Sequence, residues 1–284
     1  MVSIGEVVVI AGLAGAATGL GALPIYVTDR ISHRLYDAAV GLAAGIMFGA
    51  AVFALVVPGL EVGSLLEVVL GVLLGAVFLL AVNRLLPHVH LLIADEADRT
   101  YPSTTAEETV EADELTVASD GVETEDADDT DDPAENRRRA ILVGSAITIH
   151  NVPEGLAVGI AFAGGLEGVG IALAIAIAIQ NVPDGFAMAV PASRTGLSNA
   201  KTTLYTTLSG AVPEPIAAAA GFGLVVLVTG IFPIAAGFAA GTMMAVIFRE
   251  LIPASHGHGY ADDATLTFVL GFVVMVIVDV GLAV

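Results

Sequence analysis

Ile149-His150-Asn151-Val152-Pro153-Glu154-Gly155 and Ile179-Gln180-Asn181-Val182-Pro183-Asp184-Gly185 are one motif written twice. Each copy lies inside a long run of apolar residues. A helix brings residues three and four apart onto one face. His150, Asn151 and Glu154 therefore form one stripe of ligand-type side chains, and Gln180, Asn181 and Asp184 form a second. The runs around them are about 20 residues long, the length that crosses the hydrocarbon core of a bilayer. An acid at that depth costs about 3 kcal/mol or more unless it is paired, solvated or protonated.

The same texture extends along most of the chain. Of its 284 residues, 56% are hydrophobic and 14% charged, against about 25% charged in an ordinary soluble domain. Mean hydropathy is +0.87. Runs long enough to span occur at 5–27, 38–60, 64–86, 140–163, 168–190, 203–226, 231–251 and 264–284. They predict an all-α membrane protein of eight transmembrane helices. The first run lacks a basic start and no hydrophilic domain follows it, so it reads as a span and not as a signal peptide. Glycines four apart, as in Gly41/Gly45/Gly49, Gly71/Gly75 and Gly237/Gly241, predict a tight bundle.

Charge is segregated. Of 30 acidic residues, 17 fall between Asp95 and Glu135. Three parts follow: 1–93 with spans 1 to 3, 94–139 as an acidic loop, and 140–284 with spans 4 to 8 and the candidate metal site. The loop holds too few apolar residues to bury a core, which predicts disorder. Either this loop or a very saline habitat accounts for the acidic balance. The net charge of -20 excludes a nucleic-acid partner. The absence of cysteine excludes disulfides and thiolate sites.

The ten basic residues are Arg30, Arg34, Arg84, Arg99, Arg137, Arg138, Arg139, Arg194, Lys201 and Arg249. All follow or close spans 1, 3, 5 and 7. The positive-inside rule makes that side cytoplasmic, so the acidic loop faces the cytoplasm and both the N- and C-termini are extracellular. The partner is a lipid bilayer, and the expected location is the cell membrane, crossed many times.

Span 6 carries a third central acid, Glu214, between Pro213 and Pro215. No lysine or arginine lies at the depth of Glu154, Asp184 and Glu214, so these acids call for cations, whether protons or metals. Pro153 and Pro183 lack the N–H that would reach the carbonyls of Ile149 and Ile179, which predicts kinked or broken helices beside each acid. Imidazole nitrogen with carboxylate and amide oxygen suits Zn, Fe, Mn, Co or Cd. Met47, near the middle of span 2, offers either a soft sulfur or simple packing. Metal binding to such a set releases protons and weakens at low pH. A second group, His88 and His90 after span 3 with Glu250, His256 and His258 closing span 7, suits an ion leaving on the cytoplasmic side.

On these motifs the sequence resembles the ZIP (Zrt/Irt-like protein) family of divalent metal-ion transporters. The matching residues are His150-Asn151-Val152-Pro153-Glu154-Gly155, Gln180-Asn181-Val182-Pro183-Asp184-Gly185, Glu214-Pro215, Glu250-Leu251-Ile252-Pro253, Ala43 to Met47 and Pro87-His88-Val89-His90. The resemblance implies a transporter and not an enzyme. It implies zinc as the first substrate, with Cd, Fe, Mn and Co as others, carried toward the cytoplasm by alternating access. It implies no prosthetic group, and a homodimer. It also implies a binuclear centre. One position takes Met47, His150, Glu154, Gln180 and Asp184. The other takes Asn151, Glu154, Asn181, Asp184 and Glu214, with Glu154 and Asp184 bridging. The chain departs from the family pattern in Asp184 for the usual glutamate, in uncharged Asn181, in Arg249 before Glu250, and in an acidic rather than histidine-rich loop. An intramembrane metalloenzyme fits poorly, because His150 and Glu154 are H-x-x-x-E and not H-E-x-x-H. The alternative reading is a proton- or sodium-coupled carrier of another solute, with the acids as a relay.

Overall fold

A backbone in lipid must satisfy its N–H and C=O groups within its own segment, so apolar runs of this length fold as helices. The computed structural model describes residues 2–27, 32–100, 133–228 and 230–282, without side chains at 85–100, 133–139, 142–143 and 282. Among the described residues there is no strand. Eight helical stretches are long and apolar enough to cross a membrane: Ile4–Tyr26, His33–Val62, Leu65–Arg84, Gly144–Ala163, Glu167–Ser193, Asn199–Leu227, Phe232–Ser255 and Ala261–Gly281. These are the eight expected spans, with ends shifted by a few residues.

The helices are α1 Ile4–Ala16, α2 His33–Ala50, α3 Val57–Val62, α4 Leu65–Thr100, α5 Pro133–Ala163, α6 Glu167–Ser193, α7 Asn199–Ala211, α8 Pro213–Leu227, α9 Phe232–Val246, α10 Ile252–Ser255 and α11 Ala261–Leu282. Serines cap several of them. Ser3, Ser32 and Ser198 each accept a backbone N–H of the first turn of α1, α2 and α7, meeting a donor the helix cannot meet itself. The acidic stretch 94–139 starts within α4 and ends within α5; its centre, 101–132, lies outside the described residues.

Several spans are irregular inside the membrane. Span 1 tightens to a 3-10 helix over Ala17–Tyr26. Spans 2 and 7 widen to π turns at Ala51–Val56 and Ile247–Leu251. Each π turn runs up to a proline, Pro58 or Pro253. A proline ring collides with the carbonyl four residues back and offers no N–H to it, and one extra residue in the turn relieves both problems. Span 6 breaks between α7 and α8 at Val212. The expected break beside a central acid is thus found in span 6. In spans 4 and 5 the helix runs on through Pro153 and Pro183.

Packing sorts the spans into two groups. In the first, α5 lies along α8, α6 and α7 lie against the 3-10 part of span 1, and α1 packs on α8. In the second, α2 lies along α11 and α4 along α9. The groups meet where α2 touches α6 and α5 touches α9. The glycines predicted to tighten the bundle sit in these seams. A Cβ at Gly45 would collide with the Phe268 carbonyl of α11, and one at Gly75 with the Phe238 carbonyl of α9. Gly241 faces the Val72 carbonyl in the same way, and in the first group Gly159 faces that of Ala218. Backbones here touch with no side chain between them, which is how helices associate closely in lipid.

Candidate metal centre

The two motif copies face each other across α5 and α6, and α8 brings in the third acid. His150, Asn151, Glu154, Gln180, Asn181, Asp184 and Glu214 are all buried. Amides hold the acids. Gln180 Nε2 donates to Glu154 Oε1 at 2.6 Å. Asn181 Nδ2 donates to Glu214 Oε1 at 2.7 Å. Glu154, Asp184 and Glu214 lie within Coulombic reach of one another, and Asp184 within that of His150.

The irregular backbone supplies the remaining acceptors. Asn151 Nδ2 donates to the Ser209 carbonyl at 2.8 Å. That carbonyl is four residues before Pro213, which has no N–H to offer it. Proline thus leaves open the acceptor that Asn151 takes, at the break that turns Glu214 inward. Asn181 Nδ2 likewise reaches the Ala14 carbonyl at 2.9 Å, where span 1 passes from α-helix to 3-10.

These bonds use the donors and leave oxygens over. Asn151 Oδ1, Glu154 Oε2, Gln180 Oε1, Asn181 Oδ1 and Glu214 Oε2 are buried with no hydrogen-bond partner. Buried acceptors are almost always satisfied, and carboxylates have no donor of their own to offer each other when ionised. Five unmet oxygens on three adjacent spans, with no lysine or arginine among them, form a lining whose chemistry suits a cation. Among the described residues no three His, Asp or Glu side chains converge as a ready ligand set, since each glutamate here faces an amide.

The other expected residues are placed as follows. Met47 is buried on α2, the helix that packs on α6. Glu250 stands in the π turn of span 7. It binds His150 Nε2 through Oε2 and accepts from Asn83 Nδ2 at 2.8 Å through Oε1. It therefore reaches into the central site and does not stay with the histidines that follow it. His256 lies within hydrogen-bonding distance of Ser255 Oγ, the Ile252 carbonyl and Thr265 Oγ1. His258 Nδ1 pairs with Asp37 Oδ1 at 2.7 Å, and its ring stacks on His33 with centroids 4.6 Å apart. Glu250, His256 and His258 thus have separate surroundings. The side chains of His88 and His90 lie outside the described residues.

Sequence reasoning missed Asn83 and Asp37. Asn83 is an amide at the end of an apolar run, beside Arg84, and its polarity there was a usable signal. Asp37 is fully buried; the expected span began at 38 and left it outside, whereas α2 begins at His33.

The chain is also similar in sequence to known proteins. The ZIP Zinc transporter family matches residues 5–279. The chain is 33% identical over 279 residues to zinc transporter GufA of Myxococcus xanthus, covering 95% of this chain and 96% of that protein. It is 32% identical over 322 residues to zinc transporter ZIP11 of Homo sapiens, covering 93% and 94%. It is 33% identical over 291 residues to zinc transporter ZIPB of Bordetella bronchiseptica, covering 96% and 81%. With its eight spans and a family match over nearly its whole length, the chain belongs to the ZIP zinc transporter family of membrane proteins, whose members are transporters and not enzymes.

Proposed function

We propose that this chain carries zinc, and with it Cd, Fe, Mn and Co, across the cell membrane toward the cytoplasm by alternating access. The observation that carries the reading is the set of five unpartnered buried oxygens at Asn151, Glu154, Gln180, Asn181 and Glu214. A first position takes Met47, His150, Glu154, Gln180 and Asp184. A second takes Asn151, Glu154, Asn181, Asp184 and Glu214. With the basic face toward the cytoplasm, both termini lie outside and the acidic loop inside.

The His150–Glu250 contact suggests how release is linked to movement. His150 is in the first group of spans and Glu250 in the second. A cation at the first position and Glu250 compete for the same ring nitrogen. Binding the cation frees Glu250, which Asn83 keeps close by. When the two groups shift, Glu250 takes the imidazole back and the cation loses a ligand. Sites at broken helices between two helix groups are general for transporters, and release requires that binding not be too tight.

The test is uptake of radioactive zinc and cadmium into proteoliposomes by wild type and Glu154→Ala at two external pH values. Saturable uptake, lost in the variant, is expected. Uptake should fall as external pH falls, because protons compete for His150 and the carboxylates. Absence of uptake by folded, inserted wild type overturns the zinc and cadmium reading. Uptake at the wild-type rate in Glu154→Ala removes the bridging acid from the path.

A further inference from the structure

The break in span 6 has an outer side as well as an inner one. Above it α8 lies along α5, while below it α7 turns aside and touches α5 much less. The two helices splay, and the gap between them is a groove of about 1350 Å³. One wall is α5, through Ala140, Gly144, Thr148 and Val152; the other is span 6, through Tyr205, Leu208, Val212 and Ile216. Its large side chains face outward: Val152, Tyr205, Leu208, Val212 and Ile216 are all exposed.

The groove has the depth of one leaflet. From Ala140 to Val152 the helix rises about 18 Å at 1.5 Å per residue, a little over half of the ~30 Å hydrocarbon core. It starts at the end of the spans where the basic residues lie and stops just past the middle. The lining is almost wholly apolar, with the hydroxyls of Ser145, Thr148, Thr195 and Tyr205 along it.

The mouth is basic in a chain of net charge -20. Arg194 caps α6, between the groove residues Met188 and Thr195. Lys201 is in the first turn of α7, four residues before Tyr205 and so on its face. Arg137, Arg138 and Arg139 form the turn of α5 immediately before Ala140. From Asn136 to Pro153, and from Met188 to Ser209, neither wall contains an acid; Glu135 stands just before the first. Arg194 and Lys201 thus stand where this groove opens, and the α5 wall begins at a run of three arginines in the sequence. Basic pockets between membrane helices are sites for anionic headgroups.

We propose that this groove is a binding site for one anionic phospholipid of the leaflet at the basic face. An acyl chain fills the gap between α5 and α7, and the phosphate sits between Arg194 and Lys201. The bound chain supplies the packing that the broken helix withholds, directly behind the Ser209 carbonyl that holds Asn151. The proposal does not depend on which cation the protein carries.

The experiment counts phospholipid. Wild-type protein from bilayers of equal phosphatidylglycerol and phosphatidylcholine is washed in detergent, and the lipid carried per chain is measured by native mass spectrometry. Wild type is expected to retain about one phosphatidylglycerol in preference to phosphatidylcholine. The double variant Arg194→Gln/Lys201→Gln should lose that preference by roughly tenfold or more. Leu208→Trp, which fills the groove, should retain neither lipid. Leu74→Trp, on the exposed face of α4, should behave as wild type. Equal retention of the two lipids by wild type overturns the proposal, as does unchanged preference in the double variant. If Leu208→Trp fails to fold, the charge variants decide alone.

Discussion

Glu250 shows what a single residue can do when a helix loses its regular winding. It lies in a π turn, and one oxygen meets His150 while the other accepts from Asn83. Asn83 has no place in the proposed ligand set, yet it holds the carboxylate that meets the imidazole. Outer partners of this kind commonly govern affinity or activity by about 10–100-fold. Asn83→Ala is therefore expected to lower the maximal rate of zinc uptake by roughly tenfold, with binding at Glu154 and Glu214 kept; uptake kinetics beside calorimetric titration separate the two. The stripes on α5 and α6 were legible because period and chemistry coincide within each motif. The partnership of His150 with Glu250 was not, since 100 residues separate them. Sequence proximity drew Glu250 toward His256 and His258, and no periodicity reports a contact between distant helices.

At the scale of the element, the prolines divide the spans. In α5 and α6 the helix absorbs Pro153 and Pro183, in spans 2 and 7 it widens, and in span 6 it breaks. The apolar runs alone predicted all eight helices, because length is enough in lipid. They could not distinguish these three outcomes, which depend on what is packed behind each proline. Pro213 matters most, since its missing N–H leaves the Ser209 carbonyl to Asn151. Pro213→Ala restores a donor that competes for that carbonyl. Proline at the first turn of α8 costs the fold little, so the variant should change thermal stability by under about 1 kcal/mol. Its zinc uptake should fall by about tenfold or more. Proteoliposome flux with an unfolding curve on the same preparation checks both. The glycine seams make a different prediction. Gly45→Ala pushes a methyl against the Phe268 carbonyl, whereas Gly223→Ala meets open space. The first should lose about 1–3 kcal/mol of stability and the second almost nothing, as read by thermal unfolding in detergent.

For the molecule as a whole, the two groups of spans define what can move. Within a group the seams are backbone on backbone, and shape leaves little slack. Between groups the contacts are side chains, such as Tyr36 of α2 with Phe186 of α6, centroids 6.5 Å apart. The chain has no cysteine, so thiols can be placed at will. Bridging Tyr36→Cys to Phe186→Cys with a short bifunctional thiol reagent should stop zinc uptake, and cleaving the bridge should restore it. Bridging Phe78→Cys to Phe238→Cys, within one group at 5.4 Å, should leave uptake near the wild-type rate. The eight spans were readable along the chain. The division into two groups was not, because the spans of each group come from both ends of the sequence.

That interleaving bears on how the protein is made. Among the described residues, the first three spans hardly touch one another; α3 and α4 meet at their short turn. Their partners are α5 to α11, all on the far side of residues 101–132. A ribosome therefore delivers three helices into lipid before any of the surfaces they pack on has been synthesised. Their glycine-notched faces wait in the bilayer as open sockets. Assembly begins only once the second half of the chain arrives to fill them.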